Sequence, residues 1–301
     1  MRIGIDLGGS HIGVGIIDNG KILRKIEKEI YGKETEETVL NYIDEIISEI
    51  IKEESCIDLI GIAAPGYINK NCMKHLVNLK IDKLDFSGIM KKYKNIQFQI
   101  RNDSKMAALA EKKYGALKNY KDAVFLCLGT GIGSGVFLGG NLLSTKDNLG
   151  FELGHMIIQK DGILCNCGKR GCFETYCSMK RFKDNVKNIL DIKEISSITL
   201  LETIKDNNNY KIKEIIDEFI DNLIVGLSNI TDIFQPEAIC IGGSFVFFRE
   251  IFYEKLVNEF QERKYVFNKN RMPKIILAEL KNDSGMIGAA ISAMKSKNSS
   301  Q

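Results

Sequence analysis

One pattern of strands and glycine turns occurs twice in this chain and constrains its fold more than any other feature. The segment from Ile3 reads IGIDLGGSHIGVGIIDNGKIL, and the segment from Asp122 reads DAVFLCLGTGIGSGVFLGGNLL. Each is typical of three short strands separated by glycine turns, and Asn19-Gly20 is a hairpin signal. We therefore predict antiparallel strands in each segment and an internal duplication of topology with weak residue identity.

Helices and further strands follow each copy of the pattern. Residues 35–54 carry apolar side chains at the spacing of an amphipathic helix, namely Val39, Ile43, Ile46, Ile47 and Ile50. Buried strands are predicted in DLIGIAAPG and NIQFQIRND, and the second leads into a helix, SKMAALAEKKYG, that ends at Gly115. After the second copy we predict a helix over 212–234, strands in EAICIGGS and PKIILAEL, and a final helix in GMIGAAISAMK.

This order of elements predicts an α/β fold with two lobes and a cleft between them. The predicted small N-terminal lobe spans residues 1–115 and the large lobe spans residues 116–284. A C-terminal helix over 285–296 is expected to return to the first lobe. A length of 301 residues agrees with two domains as a prior.

Charge and hydropathy exclude several classes of partner. The chain has 42 basic and 39 acidic residues, a net charge of +3, which gives no electrostatic reason to expect nucleic acid or an anionic membrane surface. No apolar run approaches the length of a transmembrane helix, and no signal peptide is recognisable. We therefore expect a cytoplasmic protein that acts on a small molecule.

Three glycine turns, each after an apolar strand, are candidate phosphate sites. They are Asp6-Leu7-Gly8-Gly9-Ser10, Gly129-Thr130-Gly131-Ile132-Gly133 and Gly242-Gly243-Ser244. Glycine lets backbone N–H groups approach a phosphate closely, although simple hairpin turns are the alternative interpretation of each. Asp6 favours the phosphate interpretation, since a carboxylate beside such a turn suits magnesium. GTGIGSG is followed by a predicted strand instead of a helix, which argues against a Rossmann dinucleotide site.

A second cluster combines one histidine with three cysteines. His155, Cys165, Cys167 and Cys172 offer one nitrogen and three sulfurs, the donor set of a closed structural zinc site. Ordinary buried thiols and disulfides are the alternatives, but the three cysteines lie among Gly, Asn, Lys and Arg, and disulfides are rare in the cytosol. By contrast, we interpret Cys56, Cys127 and Cys240 as buried thiols because they lie in apolar runs.

Together these motifs resemble the ROK sugar kinases of the actin- and hexokinase-like ATPase superfamily. The resemblance covers nearly the whole chain and rests on the segments DLGGSHIG, APG, RNDSKMAALAE, LGTGIGSG, ELGH, CNCGKRGCFE and IGGS. Family members often have Thr-Lys where this chain has Ser10-His11, so the first turn departs from the pattern but keeps a hydroxyl. Some members are repressors with an added N-terminal helix-turn-helix, whereas this chain starts at its first strand, so DNA is not the expected partner.

The resemblance implies two actin-like (ribonuclease H-like) lobes with a mixed sheet in each, binding of ATP and Mg²⁺, a structural Zn²⁺ and a homodimer. Asp103 would be the general base, although capping of the following helix is the alternative role for it. The implied sugar contacts are Asn78, Asn102, Asp103, Glu152, His155 and Glu174. The implied nucleotide contacts are Asp6, Gly8, Gly9, Ser10, Gly129, Thr130, Gly131, Gly242 and Gly243.

The expected activity is ATP-dependent phosphorylation of a hexose at its 6-hydroxyl, most simply by a glucokinase. Allose kinase and N-acetylmannosamine kinase are alternatives within the family. A non-catalytic sugar-sensing protein is the alternative of another class.

Overall fold

The computed structural model describes residues 1–8, 11–30, 33–76, 81–145, 150–206, 209–263 and 272–291. Gly9, Ser10 and Asn78, three of the residues implied to bind ligands, lie outside these ranges, as does the predicted C-terminal helix beyond Ile291. The chain divides into two compact units, one formed by residues 1–115 with 282–301 and the other by residues 116–281.

The first unit is built on a five-stranded sheet with the order β3-β2-β1-β4-β8. Its elements are β1 (Arg2–Leu7), β2 (His11–Asp18), β3 (Lys21–Glu29), α1 (Glu36–Glu53), β4 (Leu59–Ala64), β5 (Tyr67–Asn69), β6 (Cys72–Leu76), β7 (Ile81–Asp85), α2 (Ser87–Lys92), β8 (Gln97–Asn102) and α3 (Asp103–Tyr114). β1, β2 and β3 are antiparallel, whereas β1, β4 and β8 are parallel. β5, β6 and β7 form a separate antiparallel sheet.

The second unit repeats this arrangement with the sheet order β11-β10-β9-β12-β13. Its elements are β9 (Ala123–Leu128), β10 (Ile132–Leu138), β11 (Asn141–Leu142), α4 (Glu174–Cys177), α5 (Met179–Leu190), α6 (Ser197–Asp206), α7 (Tyr210–Phe234), β12 (Ala238–Gly243), α8 (Arg249–Glu262) and β13 (Lys274–Leu277). Again the first three strands are antiparallel and the last two are parallel to the first. The predicted duplication of topology is confirmed, as is a mixed sheet in each half.

α1 shows why the pattern of apolar residues sufficed to place it. The side chain of Thr35 accepts a hydrogen bond from the Thr38 N–H and so caps the first turn. The five predicted apolar residues are the ones that are buried on this helix. They pack into one core with strand residues such as Ile5 and Ile62. Burial of each such side chain contributes about 1.5–3 kcal/mol.

α9 (Ser284–Ala289) completes the first unit and depends on glycines in the sheet. A side chain on Gly4 would overlap the carbonyl oxygen of Met286, and one on Gly61 would overlap that of Ala289. The backbone of α9 therefore rests directly on β1 and β4. Gln99 of β8 fixes the end of the helix, because its Nε2 donates to the Ala289 carbonyl at 2.7 Å.

In the second unit, aromatic side chains from α5, α7 and α8 form the centre of the core. Phe182 packs edge-on against Phe219 and Phe252, with ring centroids 5.5 and 4.8 Å apart. These rings hold the helices together on one side of the second unit's core.

Two further observations concern the predictions about cysteine and hydropathy. Cys56 is exposed, so its interpretation as a buried thiol was wrong; Cys127 is only half-buried, whereas Cys240 is buried as predicted. The reason is that α1 ends at Glu53 and β4 begins at Leu59, which places Cys56 in the connecting turn. No helix within the described ranges combines the length and hydropathy needed to cross a bilayer.

Candidate active site

In the first unit, the junction of β8 and α3 holds the predicted catalytic base. The helix is capped by Asn102, whose Oδ1 accepts a hydrogen bond from the Lys105 N–H at 3.2 Å. Asp103 is therefore the first helical residue and does not provide the cap. Its Oδ1 accepts hydrogen bonds from the Ser104 N–H at 2.6 Å and the Ser104 hydroxyl at 3.1 Å. The helix dipole stabilises negative charge at this position.

Asp6 lies at the end of β1 in the same unit and interacts electrostatically with Asp103. Burial, reinforced by the negative charges of Asp103 and Asp283 and opposed by Lys25, raises the pKa of Asp6 from 3.8 to about 7. A Cβ atom added to Gly285 would lie only 2.6 Å from Asp6 Oδ2, so the start of α9 covers this carboxylate closely. Two carboxylates that repel each other are chemically suited to share a divalent cation.

The first glycine turn closes next to Asp6. The Gly8 N–H donates to the carbonyl oxygen of His11 at 2.9 Å. The imidazole of His11 packs against Gly8, since an added Cβ atom would lie 2.9 Å from its Cε1. This hydrogen bond joins the residue after β1 to the first residue of β2.

The second and third glycine turns lie side by side in the second unit. β9 and β12 are parallel neighbours, with Gly243 opposite Leu128 in the register. Gly243 has φ = 71°, and a Cβ atom there would lie 2.5 Å from the Leu128 carbonyl oxygen. The Gly129 N–H donates to the Gly131 carbonyl at 2.9 Å, which closes the second turn, and Thr130 is exposed at its tip. Both turns therefore lie at the carboxyl ends of these strands, where nucleotide phosphates bind in many α/β folds.

The ELGH segment is fixed on β10 by one buried serine. Ser134 is 2% exposed; its hydroxyl donates to the Phe151 carbonyl at 2.6 Å and accepts from the Leu153 N–H at 3.1 Å. Phe151 has φ = 62°, a left-handed conformation that costs a bulky residue about 1–3 kcal/mol. This strained residue directly precedes Glu152, which is exposed. The backbone therefore adopts an unfavourable conformation at Phe151, immediately before the predicted sugar contact Glu152.

The four predicted zinc ligands lie together. Their ligand atoms are all within 4.8 Å of one another; His155 Nδ1 is 3.7 Å from Cys165 Sγ, and the sulfurs of Cys167 and Cys172 are 3.6 Å apart. Tetrahedral zinc with bonds of about 2.3 Å separates two sulfurs by about 3.8 Å, so the donor set and its spacing fit this ion.

The environment of the cysteines agrees with a metal site. All eight cysteines, which lie within the described residues, are free thiols. Burial raises the pKa of Cys172 to about 12 and also raises that of Cys165. A bound cation is what would hold such buried sulfurs as thiolates at neutral pH. The backbone hydrogen bonds from the Gly168 N–H to Cys165 and from the Cys165 N–H to Lys169, at 2.9 and 2.8 Å, shape the loop.

Glu174, a predicted sugar contact, lies against the second glycine turn. Its Oε2 accepts the Ile132 N–H at 2.8 Å. Sequence reasoning missed this contact, as it missed Ser134, the strained Phe151 and the Lys25–Asp283 ion pair of 2.7 Å in the first unit. The left-handed Phe151 has no signal in the sequence, because nothing in its residue type favours that conformation.

Comparisons with known proteins agree with this inventory. The sequence profile of the ROK family matches residues 2–296. A glucokinase of Thermotoga maritima is 29% identical, with 96% of this chain and 95% of that protein covered. A xylose repressor of Caldicellulosiruptor bescii is 27% identical, with 95% of this chain and 76% of the repressor covered. A crystal structure of a ROK family glucokinase from Streptomyces griseus, in complex with glucose and AMPPNP, superposes with a TM-score of 0.81 at 22% identity and covers 96% of this chain and 97% of its own. This last likeness shows the fold.

Proposed function

The chain belongs to the ROK family, and from this premise we propose that it is an ATP-dependent hexose kinase acting on the sugar 6-hydroxyl. The observation that carries the proposal is the position of Asp103, at the end of β8 and the start of α3, in electrostatic contact with Asp6 beside the first glycine turn. A sugar-binding module would need neither a base nor an acidic cation site. The relatives named glucokinase support the same conclusion.

Asp103 is the proposed general base. Its carboxylate would accept the proton of the 6-hydroxyl as that oxygen bonds to the γ-phosphorus of ATP and ADP departs with the bridging oxygen. Because Asn102 caps the helix, the Asp103 side chain is not needed for that purpose. Its hydrogen bonds from Ser104 orient the carboxylate.

The proposed nucleotide contacts are the glycine turns and Asp6. Backbone N–H groups of Gly8, Gly9 and Ser10 in one unit, and of Gly129, Thr130, Gly131, Gly242 and Gly243 in the other, would bind the phosphates. Asp6 would hold Mg²⁺, which when bound neutralises charge on the transferred phosphoryl group. A buried carboxylate beside other acids has a raised pKa as long as no cation is bound, and Asp6 shows this rise.

The proposed sugar contacts are polar groups that can hydrogen-bond to ring hydroxyls. They are Asn78, Asn102, Asp103, Glu152, His155 and Glu174. His155 directs Nδ1 toward Cys165, so Nε2 is the ring nitrogen available to a hydroxyl. A structural zinc held by His155 and the three cysteines would fix this ring and act on sugar affinity by position, not as a Lewis acid.

We propose glucose as the substrate because several relatives are named glucokinase. Allose and N-acetylmannosamine are the alternatives, since the proposed contacts address hydroxyls that these sugars share. Cytoplasmic location, a homodimer and the lack of a nucleic-acid partner stay predictions.

A sugar-sensing protein without catalysis is the second candidate, favoured by the relatives named xylose repressor. It predicts sugar binding without turnover of ATP. A panel of hexoses and xylose with ATP and Mg²⁺, monitored by ADP release, separates the two. Release of ADP that depends on one hexose supports the kinase; sugar binding by calorimetry with no ADP release in the whole panel would reject it.

A further inference from the structure

Glu174 joins the cysteine loop to the second glycine turn within the second unit. Its Oε2 accepts the N–H of Ile132, the first residue of β10 after that turn, at 2.8 Å. The contact is close: a side chain on Gly131 would overlap the same oxygen. Glycine at 131 is therefore required for the carboxylate to reach the backbone.

The opposite end of Glu174 is anchored by the cysteine loop. Glu174 follows Cys172 by two residues and is the first residue of α4. The Phe173 N–H donates to the Met156 carbonyl at 2.7 Å, and the Thr175 N–H donates to the Cys172 carbonyl at 3.0 Å. The Phe173 ring is fully buried. The position of the carboxylate is thus determined by the same loop that brings the three sulfurs together.

A further contact strengthens this connection. Gly154 of the ELGH segment packs so closely on Ile132 that a side chain at 154 would overlap the Ile132 carbonyl oxygen. Ile132 therefore donates its N–H to Glu174, and its carbonyl packs against the segment that carries His155. Ile132, the first residue of β10, therefore contacts both Glu174 and the segment that carries the proposed metal ligand His155.

From these contacts we propose that Glu174 positions the second glycine turn for the nucleotide, in addition to any contact with the sugar. Hydrogen bonds to an ionised acceptor are the strong ones, so this single contact can fix the turn. Within the described residues Oε1 has no hydrogen-bond partner, which leaves it for a ligand hydroxyl. The cysteine loop would then influence donor affinity as well as sugar affinity. This inference rests on the proposed kinase function.

The test is calorimetric binding of Mg·ADP, and separately of glucose, to the full-length protein and four variants. Glu174→Ala removes the acceptor, Glu174→Asp keeps the charge but shortens the reach, and Glu174→Gln keeps an acceptor oxygen at the same distance. Asp161→Asn is the matched control, because it removes one carboxylate from an exposed position of the same loop with φ = 56°, which asparagine tolerates.

We expect Glu174→Ala and Glu174→Asp to weaken Mg·ADP binding about tenfold. Glu174→Gln should recover only part of this loss, because it restores a neutral acceptor at the same distance, and Asp161→Asn should bind like the wild type. If Glu174→Asp and Glu174→Ala bind Mg·ADP like the wild type while glucose affinity falls, Glu174 serves the sugar alone and the inference is overturned. If the alanine variant does not fold, the aspartate and glutamine variants decide the matter. A wild-type protein that binds no Mg·ADP at all would instead overturn the proposed function and the inference with it.

Discussion

Replacement of Asp6 by asparagine should stabilise the ligand-free protein, and should do so only above pH 3.8, the ordinary pKa of this carboxyl. The pKa of Asp6 is 3.8 in the unfolded reference and about 7 in the fold. A carboxyl with a raised pKa binds its proton more tightly in the folded state. Its ionisation therefore costs nothing below the unfolded pKa, and the cost grows between pH 3.8 and about 7 and is constant above.

The magnitude follows from this rise. The rise in the pKa of Asp6 from 3.8 to about 7 means that ionised Asp6 lowers the free energy of unfolding by about 4 kcal/mol. Asp6 is only partly buried, and solvent near the carboxylate reduces the penalty, so about 2 kcal/mol is the expected gain for Asp6→Asn at pH 8. The reason is that asparagine fills the same space without a buried charge to desolvate and without repelling Asp103 and Asp283.

The assay is urea unfolding of the first unit's sheet, followed by circular dichroism at pH 4, 6 and 8 without magnesium or nucleotide. Asp18→Asn is the matched control, since Asp18 is exposed at the end of β2, and it should change the free energy of unfolding little at any of these values. A gain for Asp6→Asn that is equal at all three values, or a loss that grows toward pH 8, would refute the electrostatic reasoning.

Three further predictions concern catalysis, the metal loop and packing. Asp103→Ala should keep most hexose binding but lose turnover by about 10²–10⁴-fold, because the base is removed while the other five proposed sugar contacts remain. Steady-state kinetics with calorimetry checks this, and turnover near the wild type would contradict the assignment. Cys167→Ser should lower bound zinc, raise the hexose KM and reduce thermal stability, as measured by elemental analysis, kinetics and melting; unchanged zinc would reject the ligand set. Gly61→Ala should lower the free energy of unfolding by more than about 2 kcal/mol, because its side chain would overlap the Ala289 backbone. Gly88→Ala in α2, whose side chain would meet nothing within 4 Å, should leave the free energy of unfolding unchanged or raise it by about 0.5–1 kcal/mol. Denaturant unfolding measures both, and equal shifts for the two variants would contradict the packing of α9.

Some features of the candidate site could be predicted from the sequence, whereas others became visible only in the structure. The proposed zinc ligands and phosphate turns could be proposed from the sequence alone. The zinc ligands lie close together in the chain, and the phosphate turns repeat one pattern. The four ligands lie within eighteen residues, and the loop between Cys165 and Cys172 is short. Their ligand atoms duly lie within 4.8 Å of one another.

Three local features were predicted wrongly or not at all, namely the cap of α3, the small sheet of the first unit and the exposure of Cys56. The cap of α3 was expected at Asp103 as the alternative to catalysis, yet Asn102 provides it, because the helix begins at Asp103, one residue earlier than that alternative requires. The small sheet of β5, β6 and β7 had no sequence signal that we recognised. Cys56 lies in a turn between polar residues, Glu53 to Ser55 on one side and Asp58 on the other, so its interpretation as part of an apolar run was mistaken.

The order of the elements, the repeated topology and the buried face of α1 could be predicted from the amino-acid sequence, since these depend on apolar periodicity and glycine placement over a few residues. The folded protein was needed to show that burial, Asp103 and the distant Asp283 raise the pKa of Asp6, and that Glu174 accepts the N–H of Ile132. The physical reason is that charge interactions and hydrogen bonds act through space. Chain folding sets the distance between two such groups, and the local residue pattern does not record it.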